Sequence, residues 1–148
     1  MKAERVDRRI RVIIDDLPAE EHYRLMASND VCLAPTRWEG LGLHHSEAIA
    51  LGMPTITNDF APMNEYVTHG VDGWLIPAVW REEKSEGVPR LETPVGALRE
   101  AIEKLCDNDF RQQLVAGVEA RKASLDWNLT QQDVIDLVTE KPAFECAQ

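Results

Sequence analysis

Two glutamates with seven residues between them bracket a glycine-bearing loop in the first third of the chain. Glu39 precedes the glycines and Glu47 follows them. Carboxylates accept hydrogen bonds from paired hydroxyls such as those of a ribose or a hexose, so each glutamate could hold one sugar of a nucleotide sugar, with the diphosphate between them. The spacing alone also allows a simpler interpretation, in which Glu39 is a solvated loop residue and Glu47 a helix-surface acid, because charged side chains are usually exposed.

The backbone between the two glutamates could bind an anion. A helix is expected to begin just after the glycines, and the N–H groups at a helix N-terminus are unpaired and carry a partial positive charge. Gly42 and Leu43 could therefore hold a phosphate oxygen without a cationic side chain. With 16 basic and 26 acidic residues the chain has a net charge of −10, which disfavours nucleic acid and anionic membrane surfaces as partners.

Two adjacent histidines, His44 and His45, stand at the start of this helix. Successive helical side chains diverge by about 100°, a geometry that disfavours chelation of one metal ion by both rings. We therefore predict a structural or helix-surface role for the pair and no metal site, although His44 is also placed to face a sugar. Trp38 could stack on a sugar or a base, but it is expected rather to pack over the loop and fix its shape.

The elements that must position this loop are strands and helices in alternation. Four short apolar runs are predicted as strands and the patterns between them as helices. The strands are 10–14, 31–34, 54–57 and 74–76, and the helices run from Ala19 to about Asn29, from His44 to Leu51 and from about Pro62 to Gly70. This alternation predicts a doubly wound α/β fold with a parallel sheet, whose ligands bind at the carboxyl ends of the strands, where the glycine loop lies.

The remainder of the chain is predicted to be a loop followed by helices. Residues 79–92 are polar and have no regular period, which is typical of an exposed loop. Residues 93–140 carry three helical patterns, of which the first has Thr93 as its N-cap. The last is expected to begin at Thr130 and to present apolar side chains to a core. These side chains are Val134, Leu137 and Val138.

The composition indicates the cellular location of the chain. No apolar run approaches the roughly 18–20 residues that span a bilayer, and residues 1–11 are charged where a signal peptide would be apolar. Three cysteines, an odd number without metal-ligand spacing, fit ordinary reduced thiols. We therefore predict a cytoplasmic chain without a transmembrane segment.

The glutamate pair and the residues after it resemble a known signature. Glu39, seven residues, Glu47 and the trailing Ala48, Ala50, Gly52 and Pro54 are similar to the motif of retaining glycosyltransferases of the GT-B fold, especially glycosyltransferase family 4 (group 1). The resemblance covers most of residues 10–77 and, more loosely, 93–140. It implies that residues 1–148 are a single, partial C-terminal domain that binds a nucleotide sugar. This domain would be half of a GT-B fold, with a Rossmann-like sheet of about four strands and a helical C-terminal segment.

The resemblance also implies a role for each residue of the loop. Glu39 would be catalytic and contact the donor sugar, Glu47 would bind the ribose, and Leu17 would lie against the base. The donor substrate would be a nucleotide-diphosphate sugar, with UDP or GDP as the expected nucleotide, and no cofactor or metal is implied. The residues expected to line the sugar and the diphosphate are Gly40, Leu41, Gly42, Leu43 and His44.

The resemblance implies a hexosyl-type glycosyltransferase, whose N-terminal Rossmann domain is expected to lie outside this chain. The family's early strand that supplies Arg and Lys to the diphosphate is also expected to lie outside it, and Asp15 and Asp16 stand where the family commonly has glycine. The isolated chain is therefore expected to be inactive, and its uncovered faces predict a homo-oligomer. Two alternatives are a nucleotide-sugar-binding subunit of a split enzyme and a non-catalytic remnant.

Overall fold

The computed structural model describes residues 7–82 and 90–139. Helices and strands alternate in its first half, and helices alone form its last third. The helices α1 to α5 are Ala19–Ala27, Leu43–Ala50, Val95–Leu105, Asn108–Ser124 and Trp127–Thr139. The strands β1 to β5 are Cys32–Ala34, Thr55–Asn58, Gly73–Ile76, Val79–Arg81 and Arg90–Glu92, and a short 3-10 helix spans Met63–Glu65.

A three-stranded parallel sheet lies at the centre, in the order β1-β2-β3. All four residues of β2 are buried, as expected for the middle strand of a parallel sheet covered on both faces. Two of its polar side chains are paired across the sheet: Thr57 Oγ1 donates to the carbonyl of Ala34 at 2.9 Å, and Asn58 Nδ2 donates to that of Thr36 at 2.9 Å. The α/β fold class and the parallel sheet are confirmed.

The first predicted strand, 10–14, lies outside the sheet. The parallel sheet of the described residues therefore has three strands instead of the expected four. Its apolar side chains are largely exposed, with Ile14 at 74%. A β-branched run becomes a strand only where a neighbouring strand accepts its hydrogen bonds and covers one of its faces. In the described residues, 10–14 does not pair with β1, which remains an edge strand of the sheet.

The predicted loop 79–92 is wrong at both of its ends, where the structure has an antiparallel pair of strands. Strands β4 and β5 pair Val79 with Glu92 and Trp80 with Leu91. Leu91 is buried, and its N–H donates to the carbonyl of Arg37 at 3.1 Å, which ties the pair to the glycine loop. The middle of the predicted loop, 83–89, lies outside the described residues.

The helix predicted from Pro62 to Gly70 is reduced to the 3-10 helix Met63–Glu65. The reason is a competing hydrogen bond. The N–H of Thr68 donates to the carboxylate of Asp72 at 2.6 Å rather than to a carbonyl of the preceding turn. The chain therefore turns into β3 instead of continuing as a helix.

The C-terminal helices α3 and α4 complete the core, and α5 does not. Ala101 and Leu105 of α3 and Leu114 of α4 cluster with Ile56 and Ile76 of the sheet. Helix α5 begins at Trp127 rather than Thr130 and has no buried residue. The prediction that three of its side chains lie in the core is wrong. They are exposed, Val134 by 54%, Leu137 by 76% and Val138 by 73%. Within 7–82 and 90–139, no helix combines the length and the apolarity that crossing a membrane requires.

Candidate functional site

The glycine loop connects the carboxyl end of β1 to the N-terminus of α2, as the sequence predicts. Gly42 immediately precedes the helix in the left-handed conformation, with φ 62°. A Cβ at this position would lie 2.9 Å from Cδ2 of His45 and 3.0 Å from Cε2 of Tyr66. Both the backbone conformation and the close packing therefore require glycine at the entry to α2.

Glu39 is held by the loop that it begins. Its Oε1 accepts hydrogen bonds from the N–H groups of Gly40 and Gly42, each at 3.0 Å, and its Oε2 lies 3.6 Å from Nε2 of His44. The side chain is only 16% exposed. Glu39 is therefore not the solvated loop residue of the simpler interpretation, and in this conformation it occupies the N–H of Gly42 that a phosphate was expected to use.

Glu47 lies in the second turn of α2 and faces α1. Its Oε1 accepts a hydrogen bond from the hydroxyl of Tyr23 at 3.3 Å, and its Oε2 lies 3.5 Å from Nε2 of His22. The side chain is 28% exposed, so a ligand hydroxyl can still reach it. Leu17, the expected base contact, is half-buried two residues before the start of α1.

The two histidines lie side by side rather than apart. Their ring centroids are 4.1 Å from each other, and the ring of His45 also stacks on Tyr66 at 5.3 Å. The hydroxyl of Tyr66 donates to the carbonyl of Leu41, so the stacked rings of His45 and Tyr66 support the glycine loop. Although their Cβ directions differ, rotation about the side-chain bonds brings the rings together.

His45 is fully buried, and neither of its ring nitrogens has a hydrogen-bond partner among the described residues. Burial above all, and secondarily the neighbouring His44, lower the pKa of His45 from its ordinary 6.5 to about 4, while Glu39 opposes the shift. The imidazole is therefore neutral in the folded chain at neutral pH.

This pKa predicts an acid-dependent loss of stability. Below pH 6.5 the unfolded chain takes up a proton on His45 that the folded chain refuses until about pH 4, so stability falls as the pH is lowered through this window. We expect His45→Gln, which does not titrate, to lose less stability than the parent chain between pH 7 and pH 4. Urea unfolding in a metal-free buffer measures the difference. His22→Gln, at a ring 44% exposed, is the control, and an equal change in both variants would contradict the assignment.

An aromatic cleft of about 150 Å³ adjoins Glu39. On one side of the cleft the rings of Phe60 and Trp80 stack with their centroids 5.4 Å apart. Sequence reasoning placed Trp80 in a loop and missed this contact, because it depends on the pairing of β4 with β5. A larger cavity of about 650 Å³ between α2 and α4 is lined by neither glutamate of the motif. The residues that line the aromatic cleft are Arg37, Trp38, Glu39, Phe60, Ala61, Met63, Trp80 and Leu91.

The part of the chain that contains this site matches a known protein family. Residues 10–104 match the family described as "Glycosyl transferases group 1". The match covers more than half of the chain and includes β1, the glycine loop, α2 and both glutamates.

Individual proteins match over shorter segments. An uncharacterized 41.2 kDa protein in the cps region of Klebsiella pneumoniae is 44% identical over 48 residues, which are 32% of this chain and 13% of that protein. The lipopolysaccharide core biosynthesis mannosyltransferase LpsB of Rhizobium meliloti (strain 1021) is 46% identical over 51 residues, 33% of this chain and 14% of that protein. The amylovoran biosynthesis glycosyltransferase AmsK of Erwinia amylovora is 32% identical over 66 residues, 40% and 16% respectively.

Proposed function

The chain belongs to the group 1 glycosyl transferases, and on that premise we propose that it forms the donor-binding part of a retaining enzyme that uses a nucleotide-diphosphate sugar. The observation that carries the proposal is the placement of two half-buried carboxylates, Glu39 and Glu47, on either side of the entry to α2. The matched segments span only 13–16% of the relatives, so the activity of the whole protein is part of the proposal.

Glu39 is proposed to contact the hydroxyls of the donor sugar. Two N–H groups fix one of its oxygens, which sets the orientation of the carboxylate before a ligand arrives. The other oxygen faces His44 and has lone pairs for a sugar hydroxyl. The aromatic cleft adjoins this carboxylate, so a sugar held by Glu39 would lie at the edge of the cleft.

Glu47 is proposed to bind the paired hydroxyls of the ribose. It is one helical turn beyond Leu43, on the same face of α2, so the nucleotide would run along the first turn of the helix. The diphosphate would then lie at the N-terminus of α2, where the helix dipole stabilises negative charge. This charge grows as the nucleotide diphosphate departs, so the same arrangement would favour the transition state.

The remaining roles are proposed from the family resemblance. Leu17, which precedes α1, is proposed to lie against the base, and the backbone from Gly40 to His44 to line the sugar and the diphosphate. The name of one relative, a mannosyltransferase, supports a hexose as the transferred sugar. We propose that acceptor binding requires a second Rossmann-like domain, because the site described above holds donor-side groups.

Calorimetric titration with UDP, GDP, ADP and their hexose derivatives tests the proposal. We expect one nucleotide to bind, and Glu47→Gln to weaken both the nucleotide and its sugar derivative by about 1–3 kcal/mol, roughly 5- to 150-fold in Kd, because the ribose hydroxyls lose a charged acceptor. Glu39→Gln should weaken the nucleotide sugar about tenfold and leave the nucleoside diphosphate nearly unchanged.

The matched control is Glu100→Gln, an exposed glutamate of α3 outside the site. It should bind as the parent chain does. Absence of binding at millimolar concentration by a folded chain would contradict the proposal, and so would an equal loss in all three glutamate variants.

A further inference from the structure

Three buried ring nitrogens beside Glu39 lack a hydrogen-bond partner within the part of the chain that the structure describes. They are Nε2 of His44 and both Nδ1 and Nε2 of His45. Buried polar atoms are nearly always paired in folded proteins, because an unpaired one loses its bonds to water without replacement. The cluster therefore indicates an interaction that the protein side chains alone do not supply.

The geometry of this cluster suits a metal ion. One ligand atom each from Glu39, His44 and His45 lies within 4.8 Å of the others, and Oε2 of Glu39 is 3.6 Å from Nε2 of His44. Ligand atoms bound to a tetrahedral ion at about 2.0–2.1 Å are separated by roughly 3.4 Å. Small side-chain rotations would bring all three atoms to one ion.

We propose that Glu39, His44 and His45 form a binding site for a divalent transition-metal ion, with Zn²⁺ as the best match. Two imidazoles and one carboxylate are ligands that zinc prefers, whereas Mg²⁺ and Ca²⁺ prefer oxygen ligands throughout.

Neighbouring groups already hold two side chains of the cluster in place. The N–H groups of Gly40 and Gly42 bind the other oxygen of Glu39, and Tyr66 stacks on the ring of His45. Such outer contacts orient metal ligands and are a regular part of metal sites. Three protein ligands leave a fourth position open to water or to another ligand oxygen.

The metal site has a consequence for the donor, which rests on the proposed function. Glu39 cannot offer the same oxygen to a metal ion and to a sugar hydroxyl. Bound zinc should therefore weaken the binding of a nucleotide sugar more than that of the nucleoside diphosphate. The metal site itself does not depend on this competition, and metal titration of the chain without nucleotide tests the site alone.

Titration of the metal-free chain with Co²⁺ and Zn²⁺ tests the site. We expect one Co²⁺ to bind with the visible spectrum of a four-coordinate ion and without the strong near-ultraviolet bands of thiolate ligands, and to be displaced by Zn²⁺. His44→Ala and Glu39→Gln should each lower the Zn²⁺ affinity about tenfold or more. These two variants carry the test even if His45→Gln fails to fold.

The other histidines of the chain are the matched controls. His22→Ala and His69→Ala should bind Zn²⁺ as the parent chain does, since neither ring belongs to the cluster. An affinity unchanged in His44→Ala, or lost equally in His22→Ala, would overturn the site, and so would the absence of Zn²⁺ binding at millimolar concentration. If Zn²⁺ binds while no nucleotide does, the metal site stands and the proposed function fails.

Discussion

Replacing Gly117 with alanine is expected to destabilise the folded chain by about 2–4 kcal/mol, although alanine is the better helix former. Gly117 lies in α4 where this helix crosses the turn before β3. A Cβ there would overlap the carbonyl oxygen of Val71 and lie 2.7 Å from its carbonyl carbon. The obstacle is backbone rather than a flexible side chain, so α4 would have to move away from the turn and leave voids in the core.

Gly96 of α3 is the matched control for this substitution. No atom of residues 7–82 and 90–139 outside its immediate surroundings in the helix lies within 4 Å of the position of its Cβ, so Gly96→Ala should stabilise the chain by up to about 1 kcal/mol through helix propensity alone. Urea unfolding of both variants measures the contrast. Equal and small changes in the two would mean that α4 does not approach the turn as described.

The elements predicted correctly from the sequence are those specified by local signals. The run 54–57 is β-branched and ends in a turn, and α2 begins after a glycine and ends before another, so both were placed within one or two residues. The run 10–14 is just as β-branched, yet it lies outside the sheet. Local sequence reports what a segment prefers, whereas a strand also requires a partner at the correct place.

The same distinction explains the errors at α5 and in the segment 79–92. The apolar stripe of α5 predicts that another element covers it, but the sequence does not indicate which one. No element of the described residues covers this stripe. The antiparallel pairing of β4 with β5 joins two three-residue strands, which are too short to show a period of two. Both features depend on contacts between distant segments.

The candidate site was likewise only partly predictable from the sequence. Glu39, Glu47 and the glycine loop were found from residue type and spacing, and their roles from the family resemblance. The burial of His45 and its stacking on Tyr66 were missed, because Tyr66 reaches the loop only through the 3-10 helix that replaced a predicted longer one. Whether a buried ring nitrogen has a hydrogen-bond partner depends on how the chain packs, so no sequence pattern reveals it.

A buried ion pair fastens α4 to the turn that precedes β3. The carboxylate of Asp72 is 5% exposed and lies 3.1 Å from Nη1 of Arg121, whose Nη2 donates to the carbonyl of Glu65 at 2.7 Å. Asp72 also accepts the N–H of Thr68 at 2.6 Å. One guanidinium thus neutralises a buried carboxylate and binds the end of the 3-10 helix, next to Tyr66.

Arg121→Met is therefore expected to cost about 3 kcal/mol, because it keeps the apolar stem of the side chain but leaves the carboxylate of Asp72 buried without its partner. Thermal or urea unfolding measures this loss. Arg99→Met is the matched control: its pair with Glu103 is exposed on one helix and should contribute no more than about 0.5 kcal/mol. If the penalty arises from the unpaired charge, Asp72→Asn combined with Arg121→Met should recover part of it. A double variant as unstable as the sum of the two single variants would instead mean that the stem and the hydrogen bonds, rather than the charge pair, hold α4 in place.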